Sequence, residues 1–260
     1  MTKDFEGKAA IVTGAGLGIG FEIARQLALQ GAAVLLNDIE VNLAKEAAEK
    51  IQHEGGICHY LAGDISKVGF IQQMVDKAVS DFGQLNLAVA NAGITSYGNF
   101  LDFTEDRFQR LLAVNLQGSF FLAQRAARQF RRQDTGGSIL FMSSVTGHRA
   151  HPFLAAYGMT KAGLEMLAKG LIAELAPFGI RINTVAPGAT LTERTLKDEP
   201  DYEEKWQPFI PDKRPATTLD IAQAALFLLS DKAQHINGVT ILVDGGWTAI
   251  GRTPDMSSFK

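Results

Sequence analysis

The chain has 260 residues, of which 46% are hydrophobic and 20% are charged, with a formal net charge of −3. This size and composition are typical of a globular protein that buries a full hydrophobic core in one α/β domain. The small negative charge provides no basic surface for nucleic acid. The single cysteine, Cys58, excludes an internal disulfide and a multi-cysteine zinc site, and no metal site is predicted.

The beginning of the chain is charged and lacks the apolar core of a signal peptide. No apolar run approaches the roughly 18 residues of a membrane span. We therefore expect a cytoplasmic protein that does not interact with membranes.

The first predicted elements are a strand, a glycine-rich turn and a helix. The strand covers residues 8–13, the turn residues 14–20 and the helix residues 21–30. Glycines allow backbone N–H groups at a helix N-terminus to approach a diphosphate. The turn fits GxxxGxG, because Ile19 stands where GxGxxG requires a small residue. A flexible turn remains the alternative for a glycine cluster taken by itself.

A second predicted strand, residues 32–37, is followed by Asp38. A carboxylate at the end of the second strand can accept hydrogen bonds from the adenosine ribose hydroxyls and repels a 2′-phosphate. No lysine or arginine lies in the glycine turn or directly after Asp38. The pattern favours NAD over NADP, although Asp38 could instead serve as an N-terminal charge for the predicted helix at residues 41–53.

The alternation of strands and helices continues through the middle of the chain. Strands are predicted at residues 56–61 and 85–90 with a helix at 68–82 between them, and no hairpin signal interrupts the series. This order predicts a parallel, doubly wound sheet whose ligands bind beyond the carboxyl ends of the strands. Asp64 and Asn91 each follow a strand and are expected at that edge.

The next segment, residues 104–132, predicts a long amphipathic helix that is interrupted at Asn115 and Gly118. Asparagine has an ordinary helix propensity. On the helical pattern alone, Asn115 could therefore be a structural residue.

The central stretch contains the candidate catalytic residues. Ser144 ends the strand predicted at residues 138–143, and Pro152 is expected to open a helix that runs to about Ala176. Tyr157 and Lys161 then lie one turn apart on one helix face. An ammonium within roughly 4–6 Å favours the phenolate, so we expect a lowered tyrosine pKa and a tyrosine able to carry protons.

Taken by itself, a tyrosine four residues before a lysine is usually an exposed helical pair. The interpretation of Tyr157 and Lys161 as catalytic therefore depends on the rest of the chain.

The last third of the chain predicts a strand at residues 180–185, a helix at 221–230 and a strand at 239–243. Between them, residues 192–215 contain four prolines and show no clear period. A long irregular segment at the ligand edge is more often a flap than a linker. We predict one dinucleotide-binding and catalytic domain over residues 1–260, with a substrate flap at about 192–215.

Along nearly its whole length the chain resembles the short-chain dehydrogenase/reductase family. The matching features, in chain order, are Thr13 to Gly20, Asp64, Asn91-Ala92-Gly93, Asn115, Ser144, Tyr157 with Lys161, Pro187-Gly188 with Thr192, and Val243-Asp244-Gly245-Gly246. The resemblance implies a Rossmann-type domain of seven parallel strands with helices on both faces. It also implies NAD(P) as cofactor and a homodimer or homotetramer.

The resemblance also implies roles for individual residues. Tyr157 looks like the catalytic acid/base, Ser144 like the residue that orients the substrate oxygen, Lys161 like the group that lowers the tyrosine pKa and holds the nicotinamide ribose, and Asn115 like the residue that positions a water near Lys161. The implied cofactor-binding residues are Gly14, Gly16, Leu17, Gly18, Ile19, Asp38, Asp64, Ile65, Asn91, Tyr157, Lys161, Pro187, Gly188, Thr190 and Thr192. Ala90 departs from the asparagine that the family often has there, which puts a local backbone-supporting contact in doubt.

We therefore expect an NAD-dependent oxidoreductase that transfers a hydride between the cofactor and a secondary alcohol or ketone. Polar residues near the site favour a sugar or polyol, and reduction of a 3-oxoacyl thioester is the main alternative. His148, Arg149, His151, Phe153, Trp206 and Phe209 are candidates for contact with the substrate. Two other readings stay open: a non-catalytic NAD-binding regulatory protein, and an S-adenosylmethionine methyltransferase, whose GxGxG turn and acidic residue are similar.

Overall fold

A computed structural model describes residues 3–250 of the chain. Seven strands form one sheet in the order β3-β2-β1-β4-β5-β6-β7, and all neighbouring strands are parallel. The strands are β1 (Ala9–Val12), β2 (Ala33–Leu36), β3 (Ile57–Tyr60), β4 (Leu87–Ala90), β5 (Gly137–Met142), β6 (Ile180–Pro187) and β7 (Thr240–Val243). The predicted doubly wound, seven-stranded parallel sheet is confirmed.

Helices connect the strands. They are α1 (Gly18–Leu29), α2 (Val41–His53), α3 (Val68–Phe82), α4 (Glu105–Leu112), α5 (Ser119–Gln133), α6 (Ala155–Gly170), α7 (Ile172–Leu175), α8 (Glu193–Asp198), α9 (Tyr202–Trp206) and α10 (Thr218–Leu229). Short 3₁₀ turns occur at Phe100–Asp102, Val145–Gly147, Ala176–Phe178, Gln207–Phe209 and Asp231–Ala233, and a π-helical segment covers Ala113–Gly118. None of the helices in the described part of the chain is both long and apolar enough to cross a membrane.

The sheet is covered on both faces, which explains the continuous apolar runs of its central strands. One core packs α1, α2 and α10 against the sheet through residues such as Ile23, Ile51 and Ile221. The other packs α3, α5 and α6 through residues such as Met74 and Phe130. These side chains are fully buried, and burying one of them contributes about 1.5–3 kcal/mol.

Both boundaries of the helix that carries Tyr157 differ from the sequence prediction. Pro152 does not open α6, because Phe153 takes a left-handed conformation with φ of 63° and the helix begins only at Ala155. The same helix ends at Gly170 rather than near Ala176, and the short α7 and a 3₁₀ turn follow it.

The strand order reverses between β1 and β4, so the connections that leave these two strands diverge. In an open parallel sheet this divergence forms the crevice in which ligands bind. Residues 192–215 lie over this edge as α8, α9 and a 3₁₀ turn. Hydrogen bonds from Leu191 N to Ala216 O and from Ala216 N to Ala189 O hold the two ends of the segment together, each at 2.8 Å.

Candidate active site

A cleft of about 860 Å³ opens at the carboxyl edge of the sheet. Most of the predicted site residues line it: Gly14, Leu17, Gly18, Ile19, Asp38, Asp64, Ile65, Asn91, Ser144, Tyr157, Lys161, Pro187, Gly188, Thr190 and Thr192. Gly16 and Asn115 lie behind its wall, where they contact residues that do line it. The fold thus brings the predicted cofactor and catalytic residues, which are far apart in sequence, into one cavity.

The glycine turn is packed too closely for other residues at two positions. A Cβ atom on Gly20 would lie 2.2 Å from Gly14 O, and one on Gly14 would lie 2.7 Å from Ala92 Cα. The Asn91 amide donates hydrogen bonds to Thr13 O and Gly14 O at 2.9 and 2.8 Å. Asn91 therefore joins the end of β4 to the turn, which is held open toward the cleft at the N-terminus of α1.

An acidic oxygen already lies at this helix N-terminus. Gly18 N, the first backbone N–H of α1, donates a hydrogen bond to Glu193 Oε2 at 3.1 Å. Glu193 begins α8 in the segment above the cleft. Unpaired N–H groups and the helix dipole favour anions at such a position, so the turn fits the diphosphate of a dinucleotide.

Asp38 lies beside the glycine turn, as the sequence predicted for a ribose-binding carboxylate. Its Oδ2 accepts a hydrogen bond from Gly16 N at 3.0 Å, and its Oδ1 accepts one from Glu40 N at 3.2 Å. Helix α2 starts at Val41 after Glu40 at its N-cap, so Asp38 lies outside that helix. Both contacts leave the carboxylate at the rim of the cleft.

Asp64 forms an ion pair that the sequence did not predict. Arg110 on α4 donates to Asp64 Oδ2 at 2.8 Å and to Ser66 Oγ at 3.0 Å. Burial raises the pKa of Asp64, but hydrogen bonds from the Ser66 N–H and from Arg110 lower it by more, so the net pKa is below its usual value. Asp64 is therefore a fixed, ionised acceptor at the adenine end expected for the cleft.

The candidate catalytic residues meet at the other end of the cleft. Ser144 follows the end of β5, and Tyr157 and Lys161 project from α6. The side chains of Ser144 and Thr95 lie beside the phenol of Tyr157, and all three residues line the cleft. Lys161 Nζ lies 5.5 Å from the centroid of the tyrosine ring and donates to Met142 O at 2.8 Å. A phenol that lies beside two hydroxyls and an amine can exchange a proton with a substrate oxygen.

The pKa of Tyr157 does not follow the predicted direction. Burial raises it, and the hydrogen bonds of Ser144 and Thr95 only partly oppose this increase. Lys161 is itself 4% exposed, and burial lowers its pKa to about 8. The expectation of a lowered tyrosine pKa considered the charge of the lysine but not the loss of water around the phenolate, which is the larger effect.

Asn115 lies in the π-helical segment between α4 and α5, where the sequence pattern indicated an interruption. Its side chain is fully buried and forms hydrogen bonds with both backbone groups of Ile94 and with Thr160 Oγ1. Gly93 separates it from Lys161, because a Cβ there would lie 3.4 Å from Asn115 Oδ1 and 3.3 Å from Lys161 Nζ. Asn115 thus fixes the loop that backs the lysine. Such π segments often occur at functional sites.

Aromatic side chains surround the space next to Tyr157. Trp206 on α9 lies 5.6 Å from Trp247 and 6.4 Å from His151 between ring centroids, and Tyr97 lies 6.3 Å from His151. Together with Tyr202 these residues line the cleft. Two of the predicted substrate contacts, His151 and Trp206, are therefore at the site.

The other four candidates for substrate contact do not line the cleft. His148 pairs with Glu165, with 2.9 Å between Nε2 and Oε2, and the Arg149 guanidinium lies over the ring of Trp247, 5.1 Å from its centroid. Phe153 and Phe209 are 63% and 53% exposed. A position between Ser144 and Tyr157 in the sequence, or in the predicted flap for Phe209, was not a sufficient indication of contact.

Several residues of the cleft were missed because no motif marks them. They are Thr95, Tyr97, Arg110, Glu193, Tyr202 and Trp247. Trp247 directly follows the Asp244-Gly245-Gly246 motif, and Asp244 accepts hydrogen bonds from Gly246 N and Thr248 N at 2.9 and 2.8 Å. Its position just after the end of β7, at the carboxyl edge of the sheet, was the one sequence signal that could have identified Trp247.

Comparisons with known proteins agree with this geometry. A family model described as enoyl-(acyl carrier protein) reductase matches residues 14–248. L-Rhamnose-1-dehydrogenase of Scheffersomyces stipitis is 36% identical, covering 95% of this chain and 98% of its own. A short-chain type dehydrogenase/reductase from Mycobacterium marinum has a TM-score of 0.90 at 33% identity, covering 96% of this chain and 98% of its own.

A 7α-hydroxysteroid dehydrogenase, solved with NADH and 7-oxo glycochenodeoxycholic acid, has a TM-score of 0.89 at 34% identity. It covers 94% of this chain and 96% of its own. The chain therefore belongs to the short-chain dehydrogenase/reductase family and is an NAD(P)-dependent oxidoreductase that acts on CH–OH groups.

Proposed function

We propose that the protein is an NAD-dependent dehydrogenase that interconverts a secondary alcohol of a sugar or polyol and the corresponding carbonyl compound. The observation that supports this most strongly is the cluster of Ser144, Thr95 and Lys161 around the phenol of Tyr157, at the end of a cleft whose other end fits a dinucleotide. A bound nicotinamide supplies the hydride acceptor or donor. The residues of the chain supply position and proton transfer.

In this proposal Tyr157 is the acid/base. During oxidation its phenolate oxygen takes the proton of the substrate hydroxyl, and during reduction the phenol returns a proton to the carbonyl oxygen. The hydroxyl of Ser144, which lies in the same cleft beside the phenol, donates to the same substrate oxygen and orients it. Lys161 holds the nicotinamide ribose and stabilises the phenolate, and Asn115 supports the loop behind it.

The remaining predicted residues hold the cofactor. The glycine turn of residues 14–20 receives the diphosphate, Asp38 binds the adenosine ribose, and Asp64 with Ile65 flanks the adenine. Asn91 supports the nicotinamide side, and the carboxamide lies against Pro187, Gly188, Thr190 and Thr192. This assignment requires Glu193 to leave Gly18 N when the diphosphate binds, because both acceptors are negatively charged.

NAD is favoured over NADP because a 2′-phosphate next to Asp38 would be repelled. Arg110, the basic group at the adenine end of the cleft, is already paired with Asp64. These charges also argue against a biosynthetic 3-oxoacyl-thioester reductase that uses NADPH.

The sugar or polyol assignment rests on the mixture of flat and polar groups around Tyr157. Tyr97, Tyr202, His151 and Glu199 offer hydrogen-bonding groups, and Trp206 offers an apolar face. A site that forms hydrogen bonds with several substrate hydroxyls discriminates strongly against analogues that lack them. The similarity to an L-rhamnose-1-dehydrogenase supports the same substrate class.

The proposal is tested by measuring NADH and NADPH formation with panels of aldoses, polyols, steroids and hydroxyacyl thioesters. We expect turnover with a sugar or polyol, and a higher kcat/KM with NAD than with NADP. Turnover restricted to hydroxyacyl thioesters or steroids would contradict the substrate class, and a preference for NADP would contradict the role of Asp38.

We further propose a single domain whose residues 192–215 act as a substrate flap, in a cytoplasmic homodimer or homotetramer. The flap assignment is supported by Tyr202 and Trp206, which line the cleft from this segment. Light scattering measures the oligomeric state. Proteolysis with and without NADH tests the flap, which should become protected when the cofactor and substrate bind.

A further inference from the structure

A buried carboxylate lies directly behind the catalytic residues, outside the cleft. Glu165 is on α6, one helical turn after Lys161, and its side chain is 9% exposed. A carboxylate buried to this extent is costly unless it is paired and hydrogen-bonded. Both of its oxygens have partners, and both partners lie on the segment that carries Ser144.

The two partners stand on either side of Ser144. Glu165 Oε1 accepts a hydrogen bond from Ser143 Oγ at 2.6 Å, and Glu165 Oε2 lies 2.9 Å from His148 Nε2. Ser143, Ser144 and His148 belong to residues 143–148, which we call the serine loop. One carboxylate on α6 thus attaches both ends of the serine loop to the helix that bears Tyr157.

The serine loop is also packed against α6 without free space. A Cβ on Gly147 would lie 2.8 Å from Glu165 Oε1, and a Cβ on Gly158 would lie 2.7 Å from Thr146 O. Within the loop, Thr146 N donates to Ser144 Oγ at 3.2 Å. Movement of the loop relative to α6 would therefore displace the Ser144 hydroxyl relative to the phenol of Tyr157.

We infer that Glu165 is a positioning residue of the reaction, which sets the distance between Ser144 and Tyr157 by holding the serine loop against α6. This inference rests on the proposed roles of Ser144 and Tyr157. Glu165 does not line the cleft. Its effect is on the alignment of the two groups that hold the substrate oxygen, and a displacement of about 1 Å in such groups lowers rates by roughly 100-fold.

The test is to measure kcat, KM and NADH affinity in two variants. Glu165→Leu removes both contacts at similar side-chain size, whereas Glu165→Gln keeps an oxygen that can accept from Ser143 and an amide that can donate to a neutral His148 imidazole. We expect Glu165→Leu to lower kcat about 10- to 100-fold with little change in NADH affinity. We expect Glu165→Gln to restore most of the lost kcat.

A matched control removes another histidine–carboxylate pair, at the outer edge of the sheet. His59 Nδ1 and Asp81 Oδ2 lie 2.7 Å apart, and neither residue lines the cleft. Asp81→Leu should leave kcat unchanged. If Glu165→Leu does not fold, His148→Asn removes one contact of Glu165, and Ser143→Ala removes the other together with the hydrogen bond from Ser143 Oγ to Lys161 O at 3.1 Å. Each should lower kcat by a smaller factor while NADH still binds.

The outcomes separate the inference from the proposed function. A folded Glu165→Leu variant with wild-type kcat, or one whose kcat and NADH affinity fall together, would overturn the positioning role. If Tyr157→Phe loses turnover while Glu165→Leu keeps it, the proposed function stands and the inference fails. If Tyr157→Phe keeps turnover, the proposed function fails. The double variant Glu165→Leu/His148→Asn should have the same kcat as Glu165→Leu alone, because both changes remove the same contact. Independent roles for the two residues would instead give a further decrease in kcat.

Discussion

Replacing Lys161 with methionine should stabilise the folded protein at neutral pH while it abolishes turnover. Burial lowers the pKa of Lys161 from 10.5 to about 8, so the folded state binds this proton less tightly than the unfolded state does. One pKa unit corresponds to about 1.4 kcal/mol, so keeping the buried ammonium charged costs roughly 3 kcal/mol. Methionine has a similar length and no charge. The variant also loses the hydrogen bond from Lys161 Nζ to Met142 O, worth about 1–2 kcal/mol. The free energy of unfolding should therefore increase by about 1–2 kcal/mol at pH 7.

The sign of the pH dependence follows from proton linkage. Between pH 8 and pH 10.5 the unfolded state binds more protons at Lys161 than the folded state does, so the stability of the wild type rises with pH in this window. The rise is about 1.4 kcal/mol by pH 9, and it is absent in Lys161→Met. The advantage of the variant should therefore shrink by this amount between pH 7 and pH 9.

Urea unfolding at the two pH values, followed by far-UV circular dichroism, measures both free energies. Lys169→Met is the matched control, because Lys169 is exposed on the same helix. This control should change the free energy of unfolding by less than about 0.5 kcal/mol at either pH. A Lys161→Met variant that is less stable than the wild type at pH 7, or a stability difference that does not change with pH, would refute the reasoning.

Three further predictions concern the ligands. Asp38→Ser should raise kcat/KM with NADP relative to NAD by about tenfold or more, because it removes the carboxylate that would repel a 2′-phosphate. Steady-state kinetics with both cofactors measure this ratio, and an unchanged ratio would contradict the role of Asp38. Glu193→Gln should tighten NADH binding, because it removes the negative charge of the side chain that occupies Gly18 N, where the diphosphate is proposed to bind. Fluorescence titration measures the affinity, and an equal or weaker affinity would contradict this prediction. The two tryptophans of the chain, Trp206 and Trp247, both line the cleft, so substrate binding should change the intrinsic tryptophan fluorescence. Trp206→Ala should also raise KM about tenfold. An unchanged fluorescence together with an unchanged KM would show that the substrate binds elsewhere.

Most of the fold could be predicted because the apolar runs and glycine turns are local signals. The predicted helices at residues 41–53 and 68–82 coincide with α2 (Val41–His53) and α3 (Val68–Phe82). All seven predicted strands are present, and the buried central strands are recognisable as short continuous apolar runs. Pro152 was misleading because proline suits a helix start but does not determine one, and the left-handed Phe153 next to it could not be foreseen.

The candidate site was predictable as far as motifs reach. Tyr157, Lys161 and Ser144 are marked by their spacing, and they do line one cleft. Glu165 and Glu193 carry no such mark, because their importance arises from partners that are 17 or more residues away in sequence. The pKa of Tyr157 was predicted in the wrong direction for a related reason, since the extent of burial depends on the whole fold and not on the spacing of two residues.

The central claim is that Tyr157 carries the proton between substrate and protein. It is tested most directly by Tyr157→Phe, which removes one oxygen and keeps the ring. Stopped-flow measurement of NADH formation, with NADH affinity measured in parallel, should show wild-type cofactor binding and a kcat lower by about 100-fold or more. A Tyr157→Phe variant that binds NADH normally and still turns over the substrate at the wild-type rate would contradict the account.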